Sequence, residues 1–349
     1  MIRTFLRSTL AAAAVAAALA PVAVQAQDKV LNLYSARHYQ TDEALYANFT
    51  KATGIRINRV DADDAGILAR LQSEGAASPA DVILLVDAAR LWKAEVDGLF
   101  QPVKSALLEQ RIPATLRGKD TGAGPQWFGF STRARVLVYD KASVKRDDID
   151  TYEELADPKH KGKVCTRSGS HPYNLSLWGS LMEHLGAEKT EAFLKGVVAN
   201  MARAPKGGDT DQIRAVASGE CAIAVTNSYY LARLMRSTKP EDKAVVEKVA
   251  VVFPNQQSFG THANISGAGV AKHAKNRDAA VKFLEYLASD EAQRYFADGN
   301  NEWPAVKSVK LANPALEAMG DFKTETIPVS VVGMNQVKVQ QMLDRVGFK

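Results

Sequence analysis

The sequence predicts an α/β protein built as a two-lobed, hinged clamshell, and three observations predict it. Short β-branched runs alternate with longer amphipathic stretches along most of the chain, the mark of a mainly parallel sheet covered by helices. The alternation comes in two series, separated by extended segments long enough to leave one lobe and enter the next. The chain is also too long for one core: about 323 residues follow the expected export segment, which favours two domains of roughly 100 to 200 residues.

The elements follow in order. Residues 1–26 carry Arg3 and Arg7 without an acid, an apolar run from Thr9 to Val24, and the small-residue finish Val24-Gln25-Ala26. That pattern reads as a secretory signal peptide cleaved after Ala26, too short and Ala-rich to span a membrane. No Cys stands near the cleavage point, so no lipid anchor is expected, and the mature chain should be soluble and periplasmic. Val30 to Tyr34 then reads as a strand, Asp42 to Ala52 as a helix ending at Gly54, Ile55 to Val60 as a strand, and Ala65 to Ser73 as a helix ending at Gly75. Asp81 to Val86 is a buried strand, followed by a helix through Leu91 and Trp92. Trp127 to Tyr139 is one long extended stretch and the first expected crossover.

The second series comprises a strand at Lys163 to Thr166, helices at Tyr173 to Leu185, Thr190 to Asn200 and Asp209 to Ala217, and a strand at Cys221 to Val225. Val249 to Phe253 is the second candidate crossover, before a strand at Ile265 to Val270, a helix at Arg277 to Leu287 and a helical tail. The expected lobes are residues 27–127 with 255–305, and 128–254 with 306–349; each should hold a mixed, mostly parallel sheet with flanking helices.

Charge points to no macromolecular partner. Without Arg3 and Arg7 the chain has 42 Lys+Arg against 39 Asp+Glu, a net +3, with no basic block for nucleic acid. Cys165 and Cys221 are the only cysteines and lack the clustered spacing of a zinc or redox motif. In an oxidising compartment such a pair reads as a disulfide.

The chemistry lies in the phenols. Tyr39 follows the first strand, Tyr173 follows Pro172 after the strand ending near Thr166, and Tyr229 and Tyr230 follow the strand Cys221 to Val225, with Asn227 or Ser228 as the N-cap. All three positions lie at carboxyl ends of strands, where open α/β sheets bind ligands and helix N-termini favour negative charge. Three phenolates and the His38 imidazole make a hard, highly charged donor set that suits Fe(III). Because a free tyrosine ionises near pH ~10, the metal itself must supply the electrostatics that free the protons. Arg37, Arg133 and Arg135 can hold phenolates or a small anion through a planar donor fork, His262 is a candidate outer partner, and His171 is an alternative ligand. Ten tyrosines are ordinary for this length, so at this point packing, or a stacking wall for an organic ligand, stays open.

At these residues the chain resembles the periplasmic ferric-ion-binding proteins, the substrate-binding components of bacterial iron ABC importers, within the type II periplasmic binding protein fold. The resemblance is carried by Leu33-Tyr34-Ser35-Ala36-Arg37-His38-Tyr39, Val86 to Trp92, Asp211 to Gly219 leading into Asn227-Ser228-Tyr229-Tyr230, Gly260 to Gly267, and Asn300-Asn301-Glu302-Trp303-Pro304. It implies capture of Fe(III) in the inter-lobe cleft by Tyr173, Tyr229 and Tyr230, with His38 and Tyr39 from the first lobe and Arg37 and Arg133 behind them. It also implies a synergistic anion such as carbonate, a monomer delivering to an inner-membrane iron ABC permease, and a Cys165–Cys221 bridge between neighbouring strands. The competing reading is an import receptor of the same fold for a polyamine, thiamine-like compound or oxyanion. An exported enzyme finds no support, since the chain has no Gly-x-Ser-x-Gly elbow, His-Glu-x-x-His or Gly-rich phosphate loop.

Overall fold

The computed structural model describes residues 29–37, 39 and 41–349; the expected signal peptide at 1–26 and the candidate ligand His38 lie outside the described residues. The first series runs β1 (Val30–Ser35), α1 (Asp42–Thr53), β2 (Arg56–Asp61), α2 (Asp64–Glu74), β3 (Val82–Leu85), α3 (Ala88–Val96), β4 (Phe100–Gln101) and α4 (Ala106–Arg111). The long strand β5 (Phe128–Asp140) leads to β6 (Val164–Cys165), α5 (Pro172–Leu185), α6 (Ala187–Ala199), α7 (Asp209–Ser218), β7 (Ile223–Asn227), α8 (Ser228–Met235), α9 (Pro240–Lys248) and β8 (Val249–Val252). The chain returns through β9 (Ala263–Ala271) and α10 (Arg277–Leu287). It then finishes with α11 (Asp290–Asn300), β10 (Trp303–Pro304), α12 (Pro314–Met319) and α13 (Val329–Val346).

Local chemistry explains most boundaries. The Asp63 and Asp87 side chains cap α2 and α3 by accepting the N–H groups of Gly66 and Ala89. Pro172 occupies the first turn of α5, where its missing N–H costs nothing. Gly54 ends α1 in the left-handed region at φ 70, which a side chain would resist.

The sheet is mixed. β2, β1 and β3 pair in parallel, as do β6 and β7, while β5 and β9 pair antiparallel with each other and with their other neighbours. β5 is nearly all buried, because its first half pairs with β9 and its second half with β7 and β8. β8 differs from the expected second crossover. Its register on Leu137 to Asp140 keeps it beside the far half of β5, so the return is made by residues 253–262 running into β9. Asn255 allows that turn by adopting φ 60, and its side-chain oxygen accepts the Tyr152 N–H at 3.0 Å.

Among the described residues four apolar clusters form, and the two largest lie in different lobes. One gathers Leu31, Phe49, Leu84, Phe128, Ile265 and Phe283; the other gathers Leu137, Trp178, Leu194, Val225, Val252 and Leu343. Thus β5 and the 253–262 segment connect the two lobes. The disulfide Cys165–Cys221 is present, with its Cα atoms 5.9 Å apart, and ties β6 to the approach of β7. Among the described residues no helix is long and apolar enough to cross a membrane.

Candidate metal centre

Three strand ends converge on one cluster of phenols. β1 continues past Ser35 by one bond, Ala36 N–H to the Leu84 carbonyl at 2.8 Å, and then turns Arg37 into the interior, where it is 4 % exposed. Its Nε donates to Asp42 at 2.8 Å and its Nη1 to Glu302 at 3.1 Å, while Glu302 also accepts the Ser131 hydroxyl at 2.7 Å. Both carboxylates engage the guanidinium, which lies 4.9 Å over the Tyr39 ring. Arg37 therefore braces Tyr39 instead of offering an open fork to an anion.

Tyr173 stands in the first turn of α5, its N–H donated to His171 Nδ1 at 3.2 Å. Tyr229 and Tyr230 open α8, where Asn227 links back to α7 by donating its N–H to Asp209 at 2.8 Å. Arg135 is spent on this scaffold: it binds Asp209, Asn227 and Asn174, fixing α7, β7 and α5 relative to one another. The result is a hydroxyl pair, Tyr173 and Tyr229, 3.3 Å apart. The Tyr229 ring meets Tyr230 at 4.3 Å and the edge of Tyr39 at 6.0 Å. Tyr39 comes from the first lobe and the other three from the second.

Burial keeps Tyr39, Tyr173 and Tyr229 protonated until something positive arrives. Burial pushes Tyr173 up to about 12 against the pull of Arg133, and drives Tyr39 and Tyr229 well above the usual tyrosine range; Glu302 and Tyr173 add to the rise at Tyr39, as Tyr39 and Tyr173 do at Tyr229. Arg133, 1 % exposed, donates to the Ser266 hydroxyl at 3.1 Å and to the Val86 carbonyl, and lies 5.6 Å over the Tyr173 ring. Its Nε has no hydrogen-bond partner. A buried cation whose hydrogen bonds all go to neutral groups is best offset by phenolate charge, and Tyr173, Glu302, Tyr39 and Tyr229 hold its pKa up against burial. The donor set thus fits a trivalent hard cation: phenol oxygens from both lobes, and fixed positive charge behind them. Among the described residues no group of three or more His, Cys, Asp or Glu offers a metal site of another kind.

A cleft of about 550 Å³ opens beside the cluster, lined by Arg37, Asp64, Arg90, His171 and Tyr173 among others. Burial holds Asp64 up at about 6 in spite of the Val86 N–H it accepts at 2.9 Å. Burial and the cations Arg167, Arg135 and Arg90 lower His171 to about 3, so it is a neutral wall edge-on to Tyr173. His262 pairs through its Nδ1 with Glu325, which also takes His184 at 3.1 Å and Ser180. Sequence reasoning did not single out Glu302 and Asp42 as the anchors of Arg37. The polar run Asn300-Asn301-Glu302 just before Trp303-Pro304 was the available signal.

Comparison with known proteins identifies the family. Residues 44–324 match the bacterial extracellular solute-binding protein family. Iron uptake protein A1 of Synechocystis sp. is 48% identical over 331 residues, covering 95% of this chain and 91% of that protein. The Trichodesmium FutA structure in complex with iron and citrate ligands superposes with a TM-score of 0.86 at 51% identity, over 92% of this chain and 100% of that one. A ferric binding protein from Campylobacter jejuni gives 0.85 at 40% identity, over 91% and 100%. The chain therefore belongs to the bacterial extracellular solute-binding protein family, in the branch that holds these iron uptake and ferric binding proteins, and has their two-lobed type II periplasmic binding fold.

Proposed function

We propose that this protein is a non-enzymatic periplasmic receptor that closes around one Fe(III) ion and hands it to an inner-membrane ABC permease. The carrying observation is the Tyr173–Tyr229 hydroxyl pair at 3.3 Å with Tyr39 and Tyr230 packed against it. Tyr173, Tyr229 and Tyr230 are the ligands from the second lobe; Tyr39, and His38 beside it in sequence, are those from the first. Each phenol that joins the ion gives up its proton, and the accumulated phenolate charge cancels that of the trivalent guest, so the complex can be enclosed away from water. Arg133 offsets the remaining negative charge, and its open Nε is the donor for a synergistic anion such as carbonate.

The lobes, 27–127 with 255–305 and 128–254 with 306–349, swing about β5 and the 253–262 segment, and closure is a population shift favoured by contacts made only when both touch the ion. A stacking receptor for a thiamine-like compound or polyamine is less well served. Tyr229 already has Tyr230 against it at 4.3 Å and Tyr39 at 6.0 Å, leaving no slot of ring thickness between them.

The test is to load metal-free protein with ferric iron and record the visible spectrum. A tyrosinate-to-iron charge-transfer band is expected, and it should be lost when Tyr229→Phe and Tyr230→Phe are combined. A colourless complex, or a band indifferent to both substitutions, overturns the reading.

A further inference from the structure

A second polar contact joins the lobes away from the phenols. Ser176 lies on α5 one turn beyond Tyr173, fully buried among Leu175, Leu177 and Trp178 of the second core. Its hydroxyl donates at 2.9 Å to Asp87 Oδ2, also fully buried, at the end of β3 where Val86 and Ala88 belong to the first core. We propose that Asp87 and Ser176 form the latch that holds the lobes closed and sets the rate at which the ion leaves. The inference rests on the ferric-receptor reading above.

Three features make this contact a latch instead of ordinary packing. First, Asp87 is held by its own lobe whether or not α5 is near. Its Oδ1 accepts the Ala89 N–H at 2.9 Å and its Oδ2 accepts Asn264 Nδ2 at 2.7 Å, while Asn264 Oδ1 takes the N–H groups of Ala88 and Ile265, each at 2.8 Å. The carboxylate is preorganised, and the Ser176 hydroxyl is the partner that comes from the other lobe. Secondly, Asn264 belongs to β9, the strand that receives the return crossing, so the acceptor is anchored where the 253–262 segment enters the first lobe. Thirdly, Tyr173 and Ser176 share one helix and lie three residues apart, nearly one face of it. Drawing Tyr173 onto the ion therefore brings Ser176 into register with Asp87.

The contact is also enclosed. α13 packs along both α3 and α5, and a methyl on Gly333 would lie 2.4 Å from the Trp92 ring, so the two elements approach without a side chain between them. A hydroxyl-to-carboxylate bond in such surroundings is charge-assisted and stronger than its counterpart in water. When the lobes part, the Asp87 carboxylate regains a water and keeps its other two bonds. The latch thus bears on the closed state alone.

The test compares wild type with Ser176→Ala and Asp87→Asn, neither a proposed ligand. Each protein is loaded with ferric iron, and loss of the charge-transfer band into excess chelator is timed. The variants should keep the band position and one ion per chain but release about tenfold to a hundredfold faster, the effect of one hydrogen bond to a charged group. Metal-free melting of Ser176→Ala should match wild type, because the bond is absent when the lobes are apart; a merely structural role would lower it. Release within twofold of wild type for both variants, with the band intact, overturns the latch. A wild type that forms no band overturns the ferric reading, and the latch with it.

Discussion

Ferric binding should strengthen by about a thousandfold for each unit rise in pH through the neutral range, because at least three protons leave as the ion enters. The structure supplies the magnitude. Tyr173 is pushed to about 12 by burial, so ionising it at pH 7 costs roughly 7 kcal/mol, five units at about 1.4 each. Tyr39 and Tyr229 are raised as well, burial being the largest cause at both. The metal–phenolate bonds must therefore offset roughly 7 kcal/mol at Tyr173 alone before any affinity appears. The sign follows from the raised values: the ligand-free site holds its protons and the loaded site does not, so acid drives release and base drives uptake. The assay is competition against a chelator whose own protonation is known, from about pH 5.5 to 7.5, where free tyrosine is neutral. The logarithm of the apparent constant should rise with a slope near three or above, and Tyr229→Phe should lower the slope by about one. A slope below one in the wild type would refute proton release by the clustered phenols, and with it the account of how this site discriminates for a trivalent guest.

Two further outcomes concern stability. Replacing Cys165 and Cys221 by Ser frees a loop with a sequence separation of 56, which in the chain-entropy account lowers stability by about 4 kcal/mol. The urea midpoint should fall accordingly while the iron band stays, since neither sulfur is a proposed ligand. Glu325 should govern an acid limb. Burial raises its carboxyl, but His262, His184 and Ser180 outweigh that and hold it at about 2. A lowered value means its contribution is present above the unfolded carboxylate range and is lost as pH falls toward 2, roughly 3 kcal/mol in all. Acid denaturation of Glu325→Gln should start from a less stable protein and lack that limb; an unchanged acid profile would count against the His262–Glu325–His184 group as its origin.

Much of the architecture could be read directly, because helix and strand periodicities are local. Asp42 to Ala52 closing at Gly54, Tyr173 to Leu185, and Arg277 to Leu287 emerge as α1, α5 and α10 with boundaries that agree within a residue or so. Less was legible where the deciding partner is distant. Val249 to Phe253 has the composition of a crossover strand, yet its register against Leu137 to Asp140 keeps it in the second lobe. Helix α9 carries a weaker apolar pattern and takes much of its support from packing against α7 and α8.

The same division runs through the site. The chain by itself determined that Tyr39, Tyr173 and the 229/230 pair each stand where a strand yields to a helix, since strand runs, caps and Pro172 are written in neighbouring residues. Only the folded molecule decided that Tyr39 reaches Tyr229, that Arg37 is braced by Glu302 265 residues away, that Arg135 serves the scaffold and Arg133 the phenols, and that Asp87 meets Ser176 across the lobes. Those pairings depend on how β5 and β9 slide past one another, and a shift of one residue there turns every side chain to the opposite face. No local pattern records that choice; it is made by the joint burial of two cores.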